Sequence, residues 1–173
     1  MSVVINGSAG VTTNSGAVYD SLQRDTVKTA TSTSVDFTGI PSWVKRITVM
    51  FSGVSVSGTS LIQIQLGDSG GIETTGYVSV ASAGTSSGNS TTGFIVYAVG
   101  NAGYIISGTV TILNISSNSW VHSTATATSP ALGNAGSIGG GNKTLSDTLT
   151  QVRITTVNGT DTFDAGTINI LFE

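Results

Sequence analysis

Cysteine is absent from this chain of 173 residues. Disulfides, thiolate catalysis and cysteine-based metal sites are therefore excluded together. Charge is scarce as well: 9% of residues are Asp, Glu, Lys or Arg, against about a quarter in an average protein. The six basic residues, Arg24, Lys28, Lys45, Arg46, Lys143 and Arg153, are scattered and form no stripe able to neutralise a phosphate backbone, so nucleic acid is not an expected partner. No apolar run approaches the roughly 18 residues of a membrane span. The opening "MSVVINGSAG" has neither a basic n-region nor an apolar h-region, so no secretory signal is visible.

Small residues fill the space. Ser (25), Thr (27) and Gly (23) make up 75 positions of the 173. Disorder would require low hydrophobicity with high net charge; here 38% of residues are hydrophobic and the net charge is −3. The length suits one domain with a proper core. "VKRITVMF" places Ile47, Val49 and Phe51 on one face, and "LIQIQL" sets Ile62, Ile64 and Leu66 against Gln63 and Gln65. Such period-two alternation predicts antiparallel strands with one face buried and one solvated. "GYVSV", "GFIVYAV", "YIISGTVTILNI", "SWVHSTATAT", "TQVRITTV" and "TINILFE" continue the pattern, separated by Gly-, Ser- and Asn-rich turn text. Eight or more short strands with no intervening helix predict an all-β fold, a jelly-roll-like antiparallel β-sandwich over residues 33–173. No fixed-period repeat points to a solenoid or propeller. Residues 1–32 read as a short extended N-terminal arm, with one turn of helix in "AVYDSLQRD" and apolar Val3, Val4, Ile5, Val11, Val18, Tyr19 and Leu22 available for docking.

One stretch imitates a catalytic motif. "GDSGG", residues 67–71, has the Gly-x-Ser-x-Gly spacing of a serine nucleophile, which needs a base and a group to orient it. The single histidine, His122, follows Ser69, and only Glu73 lies between them as an acid; Asp147 comes after both. "IETTGYVSV" after the serine is strand-like where a nucleophile elbow requires a helix. GDSGG therefore reads as a turn between strands, and the chain as non-enzymatic with no catalytic residue. His122 lacks a second His for a transition-metal site. Asn158, Asp161 and Asp164 have side-chain oxygens but not the spacing of an EF-hand loop, and Asp161 with Asp164 makes no persuasive glycosidase pair. No metal or cofactor is expected. Asn-x-Ser/Thr occurs at Asn6, Asn89, Asn114, Asn142 and Asn158, as chance predicts in so hydroxyl-rich a chain. Trp43 and Trp120 read first as core or subunit-interface residues.

The phrases "VDFTGIPSWVKRITVMFSGVS", "LIQIQLGDSGGIETTGY" and "VRITTVNGTDTFDAGTINILFE" resemble a β-module of bacteriophage tail-fibre and virion surface proteins. The resemblance spans residues 33–173 and is strongest at the two ends. It implies a virion structural role, a jelly-roll-like fold, a homotrimer and no enzymatic residues. There is no heptad repeat and no Gly-X-Y shaft, so the leading expectation is a capsid cement or decoration protein on the virion surface. It would be made in the host cytoplasm, and its arm would bind the major capsid protein or another virion protein. The alternative is a tail-fibre or tail-tip component binding a host glycan through Trp120, Tyr77, Tyr104 and loops at 81–92 and 128–142.

Overall fold

A computed structural model describes residues 3–6, 10–13, 22–130 and 135–173. β1 (Val3–Asn6) pairs with β2 (Gly10–Thr13) antiparallel. The body comprises β3 (Gln23–Arg24), β4 (Lys28–Thr29), β5 (Ser34–Thr38), β6 (Arg46–Val56), β7 (Ile62–Asp68), β8 (Gly71–Ile72), β9 (Val78–Ala83) and β10 (Ser86–Ser90). It continues with β11 (Phe94–Ile95), β12 (Tyr104–Ser116), β13 (Ser119–Pro130), β14 (Ala135–Thr144), β15 (Gln151–Thr156) and β16 (Phe163–Phe172). Two antiparallel sheets pack face to face, as the alternation predicts. The large sheet runs β10-β9-β14-β13-β12-β6-β16-β3, with β4 also on β16. The small sheet runs β11-β7-β15-β5, with β8 on β7.

The wiring is that of a jelly roll with two additions to the large sheet, the β9–β10 hairpin and the extra strands of the β12–β13–β14 meander. Small-sheet strands β5, β7, β11 and β15 alternate along the chain with β6, the β9–β10 hairpin and the β12–β13–β14 meander of the large sheet. The meander stands where a jelly roll has one strand; three strands, being odd in number, leave the direction of the chain unchanged. β16 then lies outside β6. β12, β6 and β16 all bend at glycines with positive φ (Gly108 at 135°, Gly53 at 66°, Gly166 at 88°), and the ladders break register there. A Cβ on Gly108 would come within 2.7 Å of the Thr126 Cα, so the bend depends on glycine.

Ile47, Val49, Ile64, Leu66, Ile112, Val152, Ile154, Ile168 and Ile170 form the heart of a single core. Each such side chain contributes about 1.5–3 kcal/mol on burial. The threonines of β13 also point inward, which period-two reading of "STATAT" leaves unexplained. The backbone of residues 95–98 crosses the interior, and hydroxyls of the large sheet meet its polar groups. Thr124 and Thr126 donate to the Val96 carbonyl (2.9 and 2.7 Å), while Ser79 and Ser137 accept from the Ile95 and Ala98 N–H groups (2.9 and 3.3 Å). Buried backbone must find partners, and serine and threonine supply them at little cost in volume.

Several expectations change. The body begins before residue 33: β3 and β4 lie along β16, and Ala30 is fully buried. Gln23 and Arg24 are extended rather than helical; the preceding part of "AVYDSLQRD" lies outside the described residues. The loop expected at 81–92 is mostly the β9–β10 hairpin, and that at 128–142 is mostly β13 and β14. The glycine-rich text misled because it is packed strand: a Cβ on Gly139 would meet the Val80 carbonyl at 2.5 Å, and one on Gly141 would strike the Val78 carbonyl. Gln63 and Gln65, expected in solvent, are 2% and 6% exposed.

Candidate functional site

The GDSGG stretch is a two-residue turn joining β7 to β8, with Asp68 opposite Gly71 in the ladder. Asp68 is buried and ties the turn down: one carboxylate oxygen accepts from the Gly70 N–H (2.8 Å), the other from the Ser146 hydroxyl (2.6 Å). The Ser146 hydroxyl, with the Gly70 N–H behind it, holds the Asp68 carboxyl below the ordinary carboxylate range. Ser69 stands exposed at the tip. His122 is not its base. It lies 5% exposed between the sheets, stacked on Phe94 with ring centroids 4.2 Å apart, and neither ring nitrogen has a partner. Burial pushes its pKa down to about 4, so it is neutral at pH 7. No serine chemistry is assembled.

The only ion pair sealed into the body among the described residues joins Lys143 to Glu73 beneath Tyr77. Burial disfavours the Glu73 carboxylate, but Lys143 and the Ser146 N–H (2.7 Å) outweigh it and lower its pKa. The Tyr77 hydroxyl accepts from the Leu66 N–H (2.6 Å) and donates toward the Glu73 carbonyl (3.1 Å); burial pushes its pKa up. This cluster fastens the β8–β9 connection to β14 and offers no open reacting centre.

The acidic turn at 158–164 is likewise closed upon itself. The Asn158 carbonyl oxygen accepts from the Thr160 and Asp161 N–H groups (3.0 and 3.1 Å), and its amide donates to Asp161 (2.8 Å). Asp161 also accepts from the Ser60 N–H (2.9 Å), and Asp164 accepts from the Ser55 hydroxyl. The Asn158 amide, then the Ser60 N–H, lower the Asp161 pKa. These oxygens lock two loops together. Among the described residues no group of three metal-ligating side chains gathers.

The aromatic residues assigned to glycan binding are structural. Trp120, Tyr77 and Tyr104 are buried in the core, and Tyr104 meets Tyr97 edge to face at 5.9 Å. Trp43 is the half-exposed one, tilted against Phe172 at 6.1 Å.

What remains is the pair of outer faces. The outer face of the large sheet carries Arg46, Glu173 and Arg24 on its β6–β16–β3 side. On its β9–β14–β13–β12 side the outward residues are 78, 80 and 82 of β9, 136, 138, 140 and 142 of β14, 121–129 odd of β13, and 105–115 odd of β12. They are Val, Ile, Leu, Ala, Gly, Ser, Thr and Asn; no Asp, Glu, Lys or Arg is among them. Ile138 (73% exposed), Ile115, Val78, Val80, Ile105 and Leu113 all stand bare on this one face. On the small sheet the outward rows are Ser34–Thr155–Gln63 and Asp36–Arg153–Gln65, polar throughout. Arg153 grips Asp36 with two hydrogen bonds of 2.7 and 2.8 Å. Beside them a groove of about 370 Å³ opens between β7, β15 and the following turns.

Comparison with protein-family models, with curated proteins and with solved structures gives no match for this chain. Its function is therefore argued from these surfaces.

Proposed function

We propose that the protein is a non-enzymatic structural component of a bacteriophage virion that self-associates as a trimer and decorates and reinforces the shell. The observation that carries this reading is the charge-free, aliphatic outer surface of the β9–β14–β13–β12 side of the large sheet. Six bare Val, Ile and Leu side chains on one flat surface exceed the scatter normal for a monomer. The occupant is a second copy of the same chain. In a trimer the contact is heterologous, so each copy sets this surface against a different surface of the next copy, and a charge-free surface buries no unpaired carboxylate or ammonium group there. The resemblance of the sequence phrasing to phage β-modules is what suggests the virion setting.

Binding to the shell falls to the N-terminal segment, whose Val3, Ile5 and Val11 are apolar. Three such segments on one trimer would act with avidity where geometry lets them bind together. Quantitative mass spectrometry of purified virions, against the major capsid protein, tests the role: a copy number near that of the shell subunits supports decoration. A few copies per particle, or full occupancy after deletion of residues 1–21, would sink it.

A further inference from the structure

We propose that the groove on the outer face of the small sheet binds an uncharged saccharide. The site begins with two amides that ought not to be buried. Gln63 and Gln65 lie two apart on β7, on the same face and about 6.6 Å apart along the strand. The segment after β10 folds over them. The Gln63 Oε1 accepts from the hydroxyls of Ser90 and Thr92 (2.9 and 3.0 Å), and the Gln65 Nε2 donates to the Thr92 carbonyl (2.9 Å). The Thr92 carbonyl, which can only accept, fixes the Gln65 amide, whereas the hydroxyls beside Gln63 can meet either end of its amide. Gln65 is left with its Oε1 as an acceptor and Gln63 with the outer atom of its amide, Nε2 in this structure; among the described residues neither atom has a protein partner, and both residues line the groove.

A preset acceptor beside an amide that can present either end suits a ligand whose groups both donate and accept. Sugar hydroxyls donate and accept, and different hydroxyls of one ring can span adjacent positions of a strand. Thr155, opposite Gln63 in the ladder, spends its proton on the Thr33 carbonyl (2.8 Å) and keeps lone pairs facing outward. The one cation at the site, Arg153, is neutralised by Asp36, so a carboxylate or phosphate gains no free charge and meets the Gln65 oxygen. A peptide would need a free sheet edge or an apolar pocket, and the groove lies on a sheet face lined by hydroxyls and amides. Its volume falls within the range of small-ligand sites. With no aromatic ring for stacking in the lining, recognition is by hydrogen bonds, and affinity is modest.

The test is a titration of the full ¹⁵N-labelled chain, following the side-chain amide signals of Gln63 and Gln65. The probes are the methyl glycosides of glucose, galactose and N-acetylglucosamine, with sialic acid as the charged counterpart. Tens of millimolar of each reveals dissociation constants near about 1 mM and weaker. At least one neutral glycoside shifts both amide pairs saturably. Gln65→Met weakens binding tenfold or more, and so does Thr74→Trp, which fills the mouth from an exposed position and leaves the buried amides intact. The proposal is overturned if no neutral glycoside gives a saturable shift, if only sialic acid does, or if both variants bind like the parent. None of these outcomes bears on the trimer, which uses the opposite face.

Discussion

The two outer faces of this sandwich are built from the same few residue types to opposite ends. On the β9–β14–β13–β12 side of the large sheet, serine and threonine face outward between bare aliphatics, and no charged residue stands among them. On the small sheet, the outward polar groups are drawn into bonds: Gln63 and Gln65 under the Ser90–Thr92 cover, Arg153 onto Asp36. One surface stays apolar and flat where water gains from being expelled. The other is ordered and hydrophilic. Composition alone makes both look like the same hydroxyl-rich skin; partners and register separate them.

That contrast can be broken most sharply by adding charge. Ile138→Asp with Val80→Asp places two carboxylates on the large face at exposed positions. Burying them in a contact costs several kcal/mol, so association falls by two orders of magnitude or more, as read by light scattering, with the thermal midpoint nearly unchanged. Thr38→Asp, exposed on the small sheet, leaves association alone. Equal losses from both would erase the distinction between the faces.

Next in size is the buried pair. Lys143→Met strands Glu73 in the body and destabilises by about 3 kcal/mol, measurable by urea denaturation. The exposed Arg153–Asp36 pair, although two-pronged, is worth about 1 kcal/mol or less on replacement of Arg153 by Ala.

His122 gives an effect of similar size that depends on pH. Its folded pKa of about 4 lies below the unfolded value of about 6.5. Above pH 6.5 both states are neutral and the full stability is present. As pH falls from 6.5 toward 4, only the unfolded chain takes up the proton, so about 3 kcal/mol is lost over that window; below 4 both states are protonated and the loss ends. His122→Phe, continuing the stack on Phe94, removes that slope, as paired denaturation curves at pH 7 and 4.5 would register. The smallest contrast sits on β13. Thr124→Val orphans part of the Val96 carbonyl's bonding and costs about 1–2 kcal/mol, whereas Ser123→Val on the outer face stays within about 0.5 kcal/mol.

The sandwich was legible because Ile47/Val49/Phe51 and Ile62/Ile64/Leu66 alternate cleanly, and period two carries directly into a buried face. The GDSGG turn was legible too, because the chain has one histidine and its position excludes a triad. Trp120 was legible as a core residue, because a large apolar group on an alternating strand fills a sandwich interior; its alternative use with Tyr77 and Tyr104 on a glycan fails because all three are buried. The groove was invisible for the converse reason: alternation sends Gln63 and Gln65 to solvent, and nothing local announces that Ser90 and Thr92, far along the chain, return to cover them. The Gly139–Gly141 run failed as a loop signal because close backbone approach also demands glycine.

The decisive measurement is the solution mass of the parent chain and of the Ile138→Asp, Val80→Asp variant, side by side at micromolar concentration. A trimeric mass for the parent and a monomeric mass for a folded variant is the expected result. A monomeric parent, or a variant that still assembles, would contradict the assignment of the large-sheet face as the surface through which copies meet.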